Sequence, residues 1–100
     1  MIFKFCFFLF TENTVKKVGV CAGSGSSVLR KTNCDLLLTG EMSHHEVLDF
    51  VHKGTSVILT DHSNSERGYL KVLKPKLESI FENNIKIIIS EKDCDPLKVI

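Results

Sequence analysis

A histidine and a glutamate lie four residues apart where an apolar run ends and a helical pattern should begin. The run covers residues 57–60, and the two residues are His62 and Glu66. On a helix, an offset of four places two side chains on one face. An imidazole and a carboxylate in that arrangement can share a divalent metal ion. Because two ligands are too few to hold a metal tightly, the question is whether this is a whole site or part of one.

The sequence between His62 and Glu66 permits a second interpretation, in which Glu66 only caps a helix. The sequence SNSE (63–66) fits the capping-box pattern, in which Glu66 would fold back to the backbone of Ser63. His62 would then merely precede the helix. The spacing alone leaves the ligand and the capping interpretations open.

Two adjacent histidines are a weaker candidate. His44 and His45 should lie in the first turn of a helix capped by Ser43. Neighbouring helical residues point about 100° apart, so they rarely bind one ion together. With His52 they also lack the His-Glu-x-x-His arrangement of a zinc peptidase. We expect a solvent-facing pair and not a metal site.

Three further positions carry weaker signals. The run GSGSS (23–27) could bind an anion through backbone N–H groups, or could simply turn the chain tightly before a serine-capped helix. Glu41, directly after Gly40, is a candidate catalytic carboxylate that acts as a base, supports a ligand or contacts a substrate; the alternative is a carboxylate at a helix start. Arg67 could bind phosphate or stabilise Glu66, although a solvated side chain is the simpler expectation.

Strand and helix patterns alternate along the chain. We expect strands over 17–22, 34–39, 57–60 and 85–89, and a last one over 97–100. Helices should occupy about 28–31, the segment from Ser43 through His52, and about 63–83, where Pro75 should kink or split the helix near Lys74. This order predicts an α/β fold with a mixed or parallel sheet flanked by helices. In such sheets, chemistry gathers at the carboxyl ends of the strands.

The composition is that of an ordinary globular domain. Hydrophobic residues make up 43% and charged residues 25%, and the formal net charge is +1. Such a charge gives no broad attraction for nucleic acid or acidic lipid, so we expect no direct nucleic-acid partner and no membrane partner. The four cysteines form no Cys-x-x-Cys pair, which favours a reducing compartment.

The first ten residues differ from the rest. Nine of them are apolar, and five of the seven phenylalanines lie there. The segment is too short to span a bilayer and lacks the cleavage site of a signal peptide. It is either a buried or edge strand, or a leader outside the domain. We predict a boundary that leaves residues 1–14 as a Phe-rich leader and residues 15–100 as the domain.

Four phrases in the same order and at similar spacing resemble the Nif-three-like family, also named GTP cyclohydrolase 1 type 2, and most of all its eukaryotic members. The phrases are VGVCAGSGSS (18–27), LTGEMSHH (38–45), VILTDHSNSERG (57–68) and SEKDCDPL (90–97). The resemblance covers about residues 15–100. It does not extend to the Phe-rich start.

The resemblance implies one half of a two-part α/β fold that assembles into a ring-shaped hexamer around a two-metal site. The family's His-x-x-x-Glu motif is matched by His62 and Glu66, which implies that these two residues are metal ligands. The remaining ligands, a His-His pair and an aspartate, belong to the family's N-terminal half; His44 and His45 lie in the C-terminal phrase and are not that pair.

The resemblance also implies a cofactor, partners and a location. The cofactor is a divalent ion, either zinc, iron or manganese, and it is dinuclear in the full-length family. We therefore expect a C-terminal half that is catalytically incomplete alone, in a family that resembles metal-dependent hydrolases. The alternative is a non-enzymatic interaction module, because eukaryotic relatives look like transcription-associated or assembly proteins. We expect self-association, and a cytoplasmic location with the nucleus and mitochondria as alternatives.

Overall fold

A computed structural model of the chain describes the backbone of residues 6–8 and all of residues 14–97. The secondary structure alternates between strands and helices, as the sequence predicts. Within the described residues, the strands are β1 (Cys6–Phe8), β2 (Val18–Ser24), β3 (Leu36–Glu41) and β4 (Ser56–Leu59). The helices in this part of the chain are α1 (Ser26–Leu29), α2 (His44–His52), α3 (His62–Arg67) and α4 (Leu70–Ile80).

The strands form one mixed sheet in the order β1-β4-β3-β2. Strands β2, β3 and β4 are parallel, with Leu37 opposite Gly19 on one side and Val57 on the other. Strand β1 runs antiparallel to β4 at the edge. The predicted α/β class, a mixed sheet with flanking helices, is confirmed. The carboxyl ends of the three parallel strands consequently meet at one edge.

The core lies between one face of this sheet and the helices α1 and α2. Its members are the buried residues Leu29, Leu37, Val47, Phe50 and Val57. Leu37 and Val57 are completely buried, and the alternation along β3 follows the two-residue period of a strand. Burying side chains of this size contributes about 1.5–3 kcal/mol each, so this layer anchors the strands that lead to the candidate site.

Glu46 joins α1 to α2. Its Oε1 atom accepts a hydrogen bond from Oγ of Ser26 at 2.6 Å, and its Oε2 atom accepts one from the backbone N–H of Ser43 at 2.9 Å. Ser43 also accepts from the N–H of Glu46, so the expected Ser43 cap is present as a full capping box. These bonds, with that from Ser26 strongest, lower the pKa of Glu46 from 4.5 to about 2.

The long helix expected over 63–83 is two helices, and the break is not where Pro75 predicts it. Helix α4 continues through Pro75, whereas the interruption is a turn at Gly68 and Tyr69 between α3 and α4. Glycine has the highest backbone cost of any non-proline residue in a helix, which favours a break there. The prediction of a split near Lys74 is wrong. No helix among residues 14–97 is long and apolar enough to cross a membrane.

The strand expected over 85–89 is also wrong. These residues form no strand, and Ile85 and Ile88 are 48% and 71% exposed. The place beside β4 is taken by the antiparallel strand β1. Of the last expected strand, residues 98–100 lie outside the described residues, as do residues 1–5 and 9–13 of the Phe-rich segment.

Asp61 has a backbone conformation that residues other than glycine rarely adopt. It lies between β4 and α3 with φ 68° and ψ 147°, and its side chain makes no capping hydrogen bond to α3. Residues in such regions cost about 1–3 kcal/mol and tend to occur near functional sites. This strained residue turns the chain directly into His62.

Replacing Asp61 with glycine should stabilise the chain. We expect Asp61→Gly to raise the free energy of unfolding by about 1 kcal/mol, because glycine removes the steric cost at positive φ while adding some unfolded-state entropy. Urea unfolding measures the difference. Asp49→Gly, inside α2, is the matched control and should destabilise by about 1 kcal/mol. Equal losses in both variants would contradict the strain at Asp61.

Acidic pH should lower the folding stability of the chain, partly through protonation of Glu46. Because the folded-state pKa is lowered, the contribution of Glu46 is fully present above about pH 4.5 and is lost as the pH falls towards about 2. In Glu46→Gln, the urea midpoint should therefore fall less between neutral and acidic pH than in the wild type. Glu91→Gln, at an exposed loop position, serves as control. A wild-type acid dependence retained in full by Glu46→Gln would refute the role of these hydrogen bonds.

Candidate metal centre

His62 is oriented by a carboxylate from the neighbouring strand. Nδ1 of His62 lies 2.8 Å from Oε1 of Glu41, the last residue of β3. Both side chains are about half exposed, at 46% and 55%. This hydrogen bond raises the pKa of His62 above its ordinary value of 6.5, and the charge of Glu66 acts in the same direction. A carboxylate on one ring nitrogen fixes the imidazole orientation and makes the other nitrogen a better ligand.

The second ring nitrogen of His62 faces Glu66. Nε2 of His62 lies 3.4 Å from Oε1 of Glu66, one helical turn along α3. When the neutral ring donates its Nδ1 proton to Glu41, Nε2 is an acceptor that faces another acceptor. Two acceptors so close repel each other unless a cation lies with them. The arrangement therefore favours a proton on Nε2 or a metal ion shared by the two atoms.

The spacing fits a shared divalent ion. Two ligand atoms about 2.1 Å from a tetrahedral zinc lie about 3.4 Å apart, which is the separation found between these two atoms. The donor types, imidazole nitrogen and carboxylate oxygen, suit zinc, iron and manganese alike. The two side chains thus fit a metal ion as a pair of neighbouring ligands.

A glycine turn leaves space in front of the pair. Gly23, near the end of β2, has φ +67°, and a Cβ atom there would lie 2.5 Å from Oε1 of Glu66 and 3.0 Å from Nε2 of His62. Any larger residue would occupy the space beside both ligand atoms. The expected tight turn in the run 23–27 is confirmed, whereas the expected serine cap is not, because α1 has Gly25 at its N-cap with no side-chain hydrogen bond.

Gly40 permits the elements around the site to touch. A Cβ atom at Gly40 would lie 2.7 Å from the carbonyl oxygen of Gly23 and 3.0 Å from that of Asp61. The ends of β2, β3 and β4 therefore meet backbone against backbone, as expected for the carboxyl edge of parallel strands. This contact brings the residue after Gly40, Glu41, beside His62.

The capping interpretation of Glu66 does not hold. Helix α3 begins at His62, so Ser63 lies within the helix and is not its N-cap. The N-cap of α3 is Asp61, and no side chain makes a capping hydrogen bond there. Glu66 is free to face His62.

The adjacent histidines lie apart from this centre. His44 and His45 are exposed in the first turn of α2, with ring centroids 5.8 Å apart in an edge-to-face arrangement. The expectation of a solvent-facing pair is confirmed.

Within residues 14–97, no group of three or more His, Cys, Asp or Glu side chains is arranged to hold a metal ion. Glu41 bonds to the opposite nitrogen of the His62 ring from the one that faces Glu66, so it does not join the pair as a third ligand. The ligand roles of His62 and Glu66 and the catalytic role of Glu41 stay predictions. The geometry brings all three side chains together.

Ser65 was not among the residues expected near the site, and the partners of Arg67 were not expected either. Ser65 accepts a hydrogen bond from the backbone N–H of Gly23 at 2.8 Å, across 42 positions of sequence. Arg67, expected to be solvated, donates from Nε to Oδ2 of Asp93 at 2.8 Å and from Nη1 to Oδ1 of Asn64 at 2.7 Å. The Arg67–Asn64 bond joins residues three apart on α3, whereas the Gly23–Ser65 and Arg67–Asp93 bonds span 42 and 26 positions and follow no short-range pattern.

The sequence comparisons agree on one family. The sequence model of Duf34/NIF3 (NGG1p interacting factor 3) matches residues 4–96. NIF3-like protein 1 of Bos taurus is 61% identical over 89 residues, which are 89% of this chain and 24% of that protein. NGG1-interacting factor 3 of Saccharomyces cerevisiae is 50% identical over 88 residues, which are 85% of this chain and 30% of that protein. The chain thus spans about a quarter of the length of the mammalian relatives that it matches.

A solved structure shares the fold. A Bacillus cereus protein related to NIF3 superposes with a TM-score of 0.70 and 22% identity, over 97% of this chain and 28% of that one. The family model and the relatives identify one family, and the shared fold is consistent with it. The chain belongs to the Duf34/NIF3 (NGG1p interacting factor 3) family.

Proposed function

We propose that this chain supplies two ligands, His62 and Glu66, to a divalent metal site that groups from outside the chain complete. The observation that supports this most is the position of Nε2 of His62, 3.4 Å from Oε1 of Glu66, while Nδ1 is held by Glu41. With the ring proton of His62 on Nδ1, two acceptor atoms converge on one small space, and a glycine keeps that space open. A cation satisfies both atoms at once.

Each of the three side chains has a separate task in this proposal. His62 and Glu66 bind the ion, and Glu41 orients the imidazole and holds its Nδ1 proton. A divalent ion bound here would supply Lewis-acid chemistry for a hydrolytic reaction, the class that the resemblance to GTP cyclohydrolase 1 type 2 implies. With two ligands from this chain, we expect weak binding and no turnover by the chain alone.

The proposed position of the ion also agrees with the fold. The pair lies at the carboxyl edge of the parallel strands, where α/β proteins bind their ligands. The side chains of His62 and Glu66 are about half exposed, which leaves them accessible to an ion and to additional ligands. Zinc, iron(II) and manganese(II) all remain candidates for the ion.

A second candidate function is protein association. Strand β2 alternates between buried Gly19 and exposed Val18 and Val20, which are 51% and 66% exposed on the sheet face away from α1 and α2. Helix α4 has no buried residue, and Val72 and Ile80 are exposed on it. Apolar surfaces of this kind favour association, either with further copies of the chain or with another protein. One relative is named an NGG1-interacting factor, which agrees with a partner-binding role.

Metal titration tests the first proposal. The full chain should bind Zn²⁺ with a dissociation constant on the order of micromolar, and His62→Ala and Glu66→Ala should each weaken binding by about tenfold or more because each removes one ligand. Isothermal titration calorimetry with Zn²⁺, Mn²⁺ and Fe²⁺ provides the measurement. His45→Ala is the matched control and should bind like the wild type. Binding that is absent in the wild type, or equal in all four proteins, would end the metal proposal.

Sedimentation velocity tests the association proposal. If the open face of the sheet mediates self-association, the wild-type chain should form dimers or larger species as its concentration rises, and Val20→Lys should shift it to monomer. The added charge would have to be buried at the contact, which is costly. Val28→Lys, an equally exposed valine on α1, should have no effect. A wild-type chain that stays monomeric at every concentration, with no partner bound through Val20, would contradict the proposal.

A further inference from the structure

Ser65 links the β2 turn to the first turn of α3. Its Oγ atom accepts a hydrogen bond from the backbone N–H of Gly23 at 2.8 Å and donates one to the carbonyl oxygen of His62 at 2.6 Å. A serine hydroxyl has one donor and two acceptor lone pairs, so a single group makes both bonds. The strand end and the helix start are joined through this hydroxyl.

Both ends of the link touch the candidate centre. On the helix side, the bond holds the backbone of His62, and Ser65 directly precedes Glu66. On the strand side, the bond holds Gly23, whose Cα faces Oε1 of Glu66 and Nε2 of His62. A shift of the Gly23 turn would therefore change the space in front of both ligand atoms.

The surroundings leave little freedom for this contact. Gly23 is buried, so its N–H would lose its partner in the absence of the hydroxyl. Gly40 lies against the same atom, since a Cβ there would be 2.7 Å from Oγ of Ser65. The hydroxyl thus lies against backbone from β2, β3 and α3.

We propose that Ser65 is a positioning residue of the His62–Glu66 pair, which holds the two side chains and the Gly23 turn in one fixed relation. Ser65 itself does not contact the ion. Its consequence for metal binding rests on the proposed function, whereas its control of the Gly23 turn does not. Groups that orient metal ligands typically change affinity by about 10–100-fold when they are removed.

The experiment compares Ser65→Ala, Ser65→Thr and Ser63→Ala in the full chain. Ser63 is the matched control, a serine of the same helix two residues away. We expect Ser65→Ala to weaken Zn²⁺ binding by about tenfold in calorimetry and to speed amide hydrogen exchange at Gly23. Ser65→Thr keeps the hydroxyl and should restore both readouts towards the wild type, whereas Ser63→Ala should leave both unchanged.

Each other outcome decides against the proposal. Equal losses in Ser65→Ala and Ser63→Ala, or unchanged exchange at Gly23 in Ser65→Ala, would overturn it. The same holds if Ser65→Thr, although folded, fails to restore the affinity. If Ser65→Ala does not fold, Ser65→Cys takes its place, because a thiol has similar shape and makes a weaker hydrogen bond.

A wild-type chain that binds no Zn²⁺ would remove the proposed function and still leave Ser65 to be judged. In the metal-free protein, Ser65→Ala should change Gly23 exchange and the ¹⁵N shifts of the His62 ring, and Ser63→Ala should change neither. Unchanged ring shifts and exchange in Ser65→Ala would overturn the positioning role independently of any metal.

Discussion

The candidate centre depends on the close approach of three backbone segments at one edge of the sheet. Gly40 at the end of β3 lies against the carbonyl oxygens of Gly23 and Asp61, at distances that leave no room for a side chain. This contact is possible because parallel strands end at the same edge and because glycine has no Cβ. It brings Glu41 from β3 beside His62 from α3, and places the Gly23 turn over Glu66. Without it, Glu41 of β3 would lie apart from His62 and Glu66 of α3.

Much of this arrangement could be predicted from the sequence, since it depends on local patterns. The spacing of His62 and Glu66 predicts a shared helix face, and Ser43 predicts the start of α2; both elements are present. The fold class follows from the alternation of strand and helix patterns. The sequence also places the relevant loops at one sheet edge, where they are found.

Other features could not be predicted, because they depend on which elements become neighbours. The run 85–89 has the composition of a strand, but strand β1 occupies the position next to β4. Pro75 is a residue type that breaks helices, yet α4 continues through it, and the break between α3 and α4 lies at Gly68 and Tyr69. The bond between Gly23 and Ser65 spans 42 positions and follows no spacing rule. Local chemistry identified the ligand candidates, and tertiary contacts decided how they are held.

The outer strand β2 gives the sheet an edge with which a further strand can pair. The outer strand β2 has seven residues. An outer strand presents unpaired backbone groups to an incoming segment, so a further strand can pair with β2. Because β2 ends in the Gly23 turn, a segment paired with β2 would pass beside the His62–Glu66 pair. Such a segment can bring side chains of another chain to the candidate centre without any contact to α3.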